Sequence, residues 1–346
     1  MAFELYKRKI KYFFVSLFTL LILAIIIIVI SLSVGPAMLN PKDVFKAIFL
    51  KSFYSDVDPT IYSISMLRLS RTMASFFCGA ALSLAGLLMQ TITRNPLADP
   101  YIFGLSSTAL TSIAIAVIVS PSFAVYRYNL VLVAFIGALT GYVITVSLAK
   151  LAGGDSLALV LAGVAVASLF SGVSHILLYV VQNIIRTPYV YFLMGSTSTV
   201  LLKDLNFLFY PTLLLLLIAI VFFKPLNAYL YGDDYAKQLG FNPKRIIFIA
   251  ATIASILTAI TVAFIGIVGF IGLAAPHIAR FFVGSDHRFS IPITTLVGGI
   301  ITTIADIVVR LISMFARGIG ELPLGVITSV IGAPFLAYLI IRRSRA

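Results

Sequence analysis

Residues 12–34 read YFFVSLFTLLILAIIIIVISLSV and contain no charged side chain. About 20 consecutive apolar residues allow an α-helix to cross the hydrocarbon core of a bilayer, so this stretch predicts a membrane-spanning helix. Its apolar core is longer than the roughly 7 to 15 residues of a secretory signal peptide. We therefore expect it to be retained as the first span, with residues 1–11 as a basic cytoplasmic N-terminus.

The rest of the chain is also strongly apolar. Of the 346 residues, 61% are hydrophobic and 11% are charged, and the mean hydropathy is +1.10. Because soluble domains are about half apolar and a quarter charged, this composition excludes a water-soluble globular protein. Apolar runs bounded by proline, glycine or charge lie at residues 12–34, 61–90, 101–119, 128–150, 157–181, 205–223, 246–265, 270–283, 291–312 and 322–341. They predict an all-α polytopic membrane protein with about ten transmembrane helices, in a single domain over residues 1–346.

The stretch from 246 to 283 is too long for one span. It is interrupted by Gly266, Gly269, Gly272 and Pro276, and glycine and proline weaken or end helices. We therefore divide it into a full-length helix and a short one.

The distribution of basic residues predicts the topology. With ten spans and a cytoplasmic N-terminus, 15 of the 25 lysines and arginines lie on the cytoplasmic side, in agreement with the positive-inside rule. The loop at 224–245 and the C-terminal residues 342–346 are then cytoplasmic as well. The net charge of +13 is assigned to loops and membrane lipid headgroups rather than to nucleic acid. The outer face still keeps ten basic residues, which is unusual for a membrane protein.

Residues that could carry chemistry are few. The single cysteine, Cys78, excludes an intrachain disulfide and a thiolate metal cluster. His175, His277 and His287 lie on different segments, without the spacing of metal ligands. The sequence has no glycine-rich loop ending in Gly-Lys-Ser/Thr, so the chain cannot bind ATP in the P-loop manner. We expect no catalysis, no metal and no cofactor on this chain.

Asp306 is the one acidic residue inside a predicted span, and Arg310 follows it on the same helix face. Inserting an isolated carboxylate at the centre of a membrane costs roughly 3 kcal/mol or more. Asp306 is therefore expected to be paired with Arg310 in a structural ion pair, or to be kept because one of the two residues has a function. A proton-coupled carrier would need a relay of such groups. His175 on the fifth span could extend the relay, or it could simply pack or hydrogen-bond to a neighbouring helix.

A short helix is predicted in the cytoplasmic loop between Gly232 and Gly240. Asp233 and Asp234 favour its N-terminus, and Gly240 can adopt the left-handed conformation at its end. A helix of this length is unstable alone. It would be held by a partner or by the membrane domain, unless it is a plain amphipathic connector.

Two polar segments flank the second span. At its inner end, the two prolines of Arg94–Pro100 predict a rigid irregular link, or merely a turn. At its outer end, Arg68 and Arg71 present two guanidinium groups on one helix face. These groups either snorkel to lipid headgroups or receive carboxylates of a soluble partner.

Several longer motifs occur in a fixed order from about residue 60 to the C-terminus. They are RLSRT at 68–72, Gln90 with RNPLADP at 94–100, GLSS at 104–107, GFIGL at 269–273, PHIAR at 276–280, DHR at 286–288, Ala305–Asp306, ELPLG at 321–325 and GAPF at 332–335. Together they are similar to the iron-chelate and cobalamin permease family of ABC importers. The resemblance implies the type II importer architecture, with ten helices per subunit and a homodimer or a pair with a close paralogue. It also implies two ATPase subunits, which bind ATP and Mg, and an extracytoplasmic substrate-binding protein.

The resemblance also assigns roles to residues. The implied ATPase-coupling residues are Asp233, Asp234, Tyr235, Ala236, Leu239 and Gly240. The implied docking residues for the binding protein are Arg68, Arg71 and Arg310, with Arg317 as an alternative because the segment from Arg310 to Glu321 is longer than the family pattern. The implied inner gates are Asn95, Pro96, Leu97 and Ser156, and the implied pathway residues are Ser171 and His175.

The sequence therefore predicts a permease of the cell membrane that imports a metal chelate. We place a ferric siderophore first and cobalamin or haem second. The rivals from other classes are a proton-coupled carrier that uses Asp306 and His175, and a receptor-like membrane protein that transports nothing.

Overall fold

The computed structural model describes residues 2–35, 39–49, 58–124, 127–185, 194–315 and 322–344. These residues form helices and no β-strand. The α-helices are α1 Ala2–Ser33, α2 Pro41–Phe49, α3 Pro59–Ile92, α4 Leu105–Val119, α5 Arg127–Leu151, α6 Ser156–Ile185, α7 Leu205–Val221, α8 Phe223–Leu230, α9 Asp233–Gln238, α10 Pro243–Ile265, α11 Ile271–Val283, α12 His287–Phe315 and α13 Leu324–Ser344. Short 3₁₀ turns lie at Pro100–Phe103, Pro121–Ala124 and Leu202–Asp204. The prediction of an all-α membrane protein is confirmed.

Seven of the described helices are long and apolar enough to cross a membrane, namely α1, α3, α5, α6, α7, α10 and α12. The shorter apolar helices α4, α11 and the first half of α13 coincide with the other three predicted runs. The division of the stretch 246–283 is also present, because α10 ends at Ile265 and α11 begins at Ile271. The number of ten spans stays a prediction.

Helix starts follow the local sequence. Asp58 precedes α3 and its carboxylate accepts a hydrogen bond from Thr60 N at 2.7 Å, with Pro59 as the first helical residue. Asn242 does the same for α10, accepting from Lys244 N at 3.0 Å. Such caps satisfy backbone donors that have no partner inside the helix.

α3 forms the centre of the bundle and packs against α11 and α12 through glycines. A Cβ added to Gly86 would lie 2.0 Å from the carbonyl oxygen of Gly272, and one added to Gly79 would lie 2.1 Å from that of Gly298. Small residues let helix backbones approach closely inside a membrane. By contrast, α1 and α6 leave most of their apolar side chains exposed in the single chain.

Candidate functional site

The short helix α9 lies where the sequence predicts it. Gly232 before it and Gly240 after it have positive φ values of 120° and 82°, which glycine adopts without strain. Ala236 is fully buried, whereas Tyr235 and Leu239 are exposed. The helix therefore rests on its own subunit through Ala236 and presents apolar side chains outward. Of the predicted coupling residues, Ala236 is thus not on the exposed face.

Arg94 joins the polar link after α3 to the helix α9. Its guanidinium donates to the carboxylate of Asp233, and its Nε donates to the carbonyl oxygen of Tyr229 at 3.2 Å. The guanidinium also lies 4.1 Å from the centroid of the Tyr229 ring, within the range of a cation–π contact. Arg94 itself has a φ of 48°, a left-handed conformation that is uncommon for a side chain of this size. Three contacts thus hold a strained residue between the link and α9.

The link itself is held in shape by polar contacts. Asn95 Oδ1 accepts from Leu97 N at 2.9 Å, and His277 Nε2 on α11 donates to the carbonyl oxygen of Pro96 at 3.0 Å. Leu97 is exposed. The predicted gate residues of this link therefore lie together at the end of the bundle that carries α9, attached to α11 on one side and to α9 on the other.

Asp99 ends the link and begins the 3₁₀ turn. Its carboxylate accepts from Tyr101 N at 2.9 Å. Burial raises the pKa of Asp99 to about 6, although the hydrogen bond from Tyr101 lowers it. This carboxylate changes its charge closer to neutral pH than an ordinary aspartate does.

A second polar cluster joins α8 to the start of α12. Asn227 Nδ2 donates to Asp286 Oδ1 at 2.8 Å, and Asn227 Oδ1 accepts from His287 N at 2.9 Å. Arg288 donates to Asp286 Oδ2 at 3.0 Å. Burial alone would raise the pKa of Asp286, but the hydrogen bonds from Asn227 and Arg288 outweigh it and lower that pKa. Sequence reasoning assigned no role to Asn227, because a lone asparagine carries no recognisable signal.

At the other end of the bundle, Asp306 lies in an arginine cluster. It is fully buried, and its two oxygens contact Arg71 Nε at 2.9 Å and Arg310 Nη2 at 2.8 Å. Thr197 Oγ1 donates to it at 2.8 Å. The spacing of Asp306 and Arg310 does produce the ion pair that it indicates, and Arg71 joins it from α3.

Arg68 and Arg310 also bind the C-terminal end of α1. Arg68 Nη1 donates to Ser33 O at 3.0 Å, and Arg310 Nη1 donates to Ser31 O at 2.7 Å. Carbonyl groups at a helix C-terminus carry partial negative charge and lack partners within the helix. Arg68 is 7% exposed and Arg310 is 4% exposed, so both offer little surface to another protein in this arrangement. Arg317 lies outside the described residues.

The predicted pathway residues lie on α6. Ser156 is its first residue, and the preceding Asp155 caps it by accepting from Ala158 N at 2.7 Å. His175 is exposed, and its Nδ1 contacts the carbonyl oxygen of Ser171 at 2.7 Å. The contact stays within α6, whereas the contacts of Asp306 lie within the arginine cluster. The two groups of the hypothetical proton relay are therefore not brought together.

No group of three or more His, Cys, Asp or Glu residues that could hold a metal ion occurs in the described part of the chain. The contacts at both ends of the bundle position side chains and elements relative to one another. Their chemistry is that of holding and moving helices.

Comparison with known proteins gives consistent matches along the chain. The family model of the FecCD transport family matches residues 22–342. A ferric enterobactin transport system permease of Escherichia coli is 34% identical, over 94% of this chain and 95% of its own length. An Fe(3+)-citrate import system permease of Bacillus subtilis is 32% identical, over 92% and 93%. Among solved structures, an ABC transporter assigned to the metal-chelate type, in an inward-facing conformation, matches with a TM-score of 0.80 and 29% identity, over 95% of this chain and 99% of that one.

Proposed function

Because the chain belongs to the FecCD transport family, we propose that it forms the membrane pathway for a metal chelate, with a ferric siderophore as its cargo. The chain is a multi-pass permease subunit of an ABC importer, and it is a transport subunit rather than an enzyme. Hydrolysis of ATP, with its Mg, is assigned to a separate ATPase chain.

The similarity to a ferric enterobactin permease along nearly the whole chain is the observation that carries the proposed cargo. The Fe(3+)-citrate permease and the metal-chelate type transporter support the same class of cargo. Cobalamin or haem is the alternative, because both are also bulky metal chelates. A proton-coupled carrier has no support from the positions of Asp306 and His175, whose contacts lie in separate places.

The helix α9 is proposed to dock on the ATPase and to transmit its movement. Its exposed Tyr235 and Leu239 give it an apolar outer face, and a helix of this length needs tertiary contacts for stability. Arg94 connects α9 directly to the link that carries the gate residues Asn95, Pro96 and Leu97. Displacement of α9 by ATP-driven closure would therefore pull on the link, in a rigid-body change between two states.

A second copy of this chain, or a close paralogue, is proposed to cover α6. Exposed apolar residues such as Leu161 and Val164 share one face of α6 with the polar Ser171 and His175, at the spacing of helical turns. A face that mixes polar and apolar residues is poorly suited to lipid alone, because polar groups in a membrane are usually turned toward protein or water. Two such faces would enclose a pathway lined by Ser171 and His175, with Ser156 near its inner end.

The outer arginines are proposed to receive carboxylates of an extracytoplasmic substrate-binding protein, with both termini of the permease in the cytoplasm. Arg68, Arg71 and Arg310 lie in one cluster, and this concentration of positive charge supports a docking site for carboxylates. Because their guanidinium groups already bind Asp306 and the end of α1, docking would act by replacing these contacts. Binding would then be linked to the position of α1 and α12.

The cargo is tested by uptake. Liposomes containing the permease, its ATPase and its binding protein are supplied with ATP and with equal concentrations of a ferric siderophore or cobalamin. Uptake of the siderophore above that of cobalamin is the expected result. Uptake of cobalamin alone would overturn the siderophore and leave the importer intact.

A further inference from the structure

A cavity of about 280 Å³ opens at the inner ends of α3, α8, α11 and α12. Its polar lining consists of Gln90, Arg94, Arg280, Ser285 and His287. Among the described residues that line it, none is acidic. The cavity is therefore a basic pocket between the ends of four helices.

Arg280 differs from the two other arginines close to this cavity. Arg94 is paired with Asp233, and Arg288 is paired with Asp286. Arg280 is partly buried, and no described residue forms an ion pair or hydrogen bond with its guanidinium group. A partly buried charge is costly unless a counter-charge or hydrogen bonds compensate it. The local charges are therefore balanced except at Arg280.

Two other side chains of the cavity help to define what could enter it. The ring nitrogens of His287 are both occupied, by Thr91 Oγ1 at 2.7 Å and by Asn227 Oδ1 at 2.8 Å. Gln90 is 3% exposed, and its Oε1 has no hydrogen-bond partner among the described residues. A buried polar atom without a partner is uncommon in folded proteins. Since this oxygen is itself buried and Arg94 is paired with Asp233, Arg280 is the one arginine of the described lining that can receive an anion.

We propose that Arg280 is the receptor for an acidic side chain of the ATPase subunit, which enters this cavity when the ATPase docks. The inference rests on the proposed function, since it presumes the ATPase partner. The planar guanidinium fork suits a carboxylate, which can accept two parallel hydrogen bonds from it.

The position of the cavity selects the ATPase rather than a lipid headgroup as the source of the anion. Arg94 lines the cavity and also binds Asp233 in α9. Leu230 lines it as well and precedes α9 by a single turn of chain. A protein surface that receives the exposed Leu239 of α9 therefore comes next to the mouth of the cavity. Arg280 adds a charged contact beside an apolar one.

The test compares Arg280→Gln with Arg245→Gln. Arg245 lies at the start of α10 in the same inner loop region, is exposed, and does not line the cavity. Each permease is placed in nanodiscs of phosphatidylcholine, with or without added phosphatidylglycerol, and the Kd of the ATPase subunit is measured. Loss of a charge-assisted contact predicts a Kd about tenfold higher or more for Arg280→Gln in both lipids. Arg280→Lys keeps the positive charge but lacks the planar guanidinium group, so its Kd is expected to lie between those of the unchanged protein and Arg280→Gln.

The stability of the isolated permease separates docking from a structural role. Because Arg280 has no described partner in the single chain, Arg280→Gln is expected to melt at the same temperature as the unchanged protein or above it. A lower melting temperature would show that Arg280 supports the fold and would overturn the inference. An unchanged Kd for Arg280→Gln would also overturn the inference. An equal loss of affinity for Arg245→Gln would overturn it as well, because it would indicate a general attraction of the ATPase to basic residues.

Weakening that appears only with phosphatidylglycerol would identify a lipid headgroup as the anion and would contradict the inference. Leu239→Asp serves as the reference for the proposed function itself. If Leu239→Asp abolishes ATPase binding and Arg280→Gln leaves it intact, only the role of Arg280 fails. If neither variant affects binding, the docking role of α9 fails as well.

Discussion

Arg94 and Asp233 form an ion pair that connects the link after α3 to the first residue of α9. The two residues are 139 positions apart in the sequence. Since Arg94 is also held in a left-handed conformation and stacked on Tyr229, its position depends on where α9 lies. We therefore expect movement of α9 to be transmitted to the residues that follow Arg94.

Breaking this pair is expected to uncouple transport from ATP hydrolysis. Arg94→Asp and Asp233→Arg alone each place like charges together, so uptake per ATP hydrolysed should fall by about tenfold. The double exchange restores the attraction, and aspartate tolerates positive φ better than most residues, so it should recover part of the coupling. Uptake and ATPase rates in proteoliposomes measure this ratio.

Lys237→Gln is the control for the ion pair. It removes the exposed contact between Lys237 and Asp234 within α9, and exposed pairs contribute about 1 kcal/mol or less. Coupling is therefore expected to stay near that of the unchanged protein. A double exchange that performs no better than the two single variants would contradict a direct role of the pair.

The two apolar residues of α9 are expected to behave differently when replaced by aspartate. Leu239 is exposed, so Leu239→Asp should leave the melting temperature of the permease unchanged and prevent the ATPase from binding. Ala236 is fully buried, so Ala236→Asp buries a charge and should destabilise the permease by several kcal/mol. Thermal melting and co-purification with the ATPase measure the two effects. Equal melting temperatures for both variants would show that α9 does not rest on its own subunit.

The close packing of α3 predicts that one added methyl group strongly lowers the stability of the permease. Gly86→Ala brings its Cβ to 2.0 Å from a backbone oxygen of Gly272, and the backbone cannot move away without separating α3 from α11. Overpacking of this kind typically costs about 1–3 kcal/mol, and more where backbone is involved. Gly172→Ala in α6 meets nothing within 4 Å and should melt at the same temperature or slightly higher, since alanine favours helix by about 1 kcal/mol. Similar losses in both variants would contradict the close approach of α3 and α11.

Asp99 predicts a pH dependence of stability. Its folded pKa of about 6 lies above the value of about 3.9 for an unperturbed aspartate. The native state therefore binds the proton more tightly than the unfolded state, so stability falls as the pH rises from about 4 to about 6. Asp99→Asn keeps an acceptor for Tyr101 N and removes the titration. As the pH rises from 4 to 7, the melting temperature of the unchanged protein should fall relative to that of Asp99→Asn. Parallel curves of melting temperature against pH would contradict the raised pKa.

The affinity of the binding protein for the proposed docking site at Arg68 and Arg71 is expected to depend on salt concentration. Arg68→Glu combined with Arg71→Glu should weaken the affinity for the binding protein at least tenfold, because charge-assisted hydrogen bonds contribute about 1.5–3 kcal/mol each. The loss should be larger at low ionic strength. Arg68 also binds the C-terminal end of α1. The melting temperature of Arg68→Gln therefore measures how much this arginine contributes to the stability of the permease. Lower stability with unchanged affinity would assign these arginines to the fold alone.

The sequence predicted the elements well because apolar runs and helix caps are local signals. The positions of α9, of the polar link after α3 and of the division between α10 and α11 all follow from glycine, proline and charge in short windows. The partners of the arginines could not be predicted in this way. Asp306 indicated Arg310 through helix spacing, but Arg71 reaches it from another helix, and only tertiary packing brings them together.

The same limit applies to the contacts around α9. Arg94 was visible in a motif, but its contacts with Asp233 and Tyr229 depend on where α8 and α9 pack. The cavity beside Arg280 exists only because four helix ends meet. A single sequence carries no local signal for contacts between distant helix ends. The burial of Ala236 and the exposure of Leu239 likewise depend on how α9 packs against its own subunit.

We propose that this permease moves its cargo with energy from ATP, delivered through α9. The most direct measurement is uptake of a ferric siderophore into proteoliposomes that contain the permease, its ATPase and its binding protein, with either ATP or a pH gradient as the only energy source. We predict uptake with ATP alone, none with the gradient alone, and none with ATP when Leu239 is replaced by aspartate. Uptake driven by the gradient without ATP would contradict ATP-driven import and identify a secondary carrier.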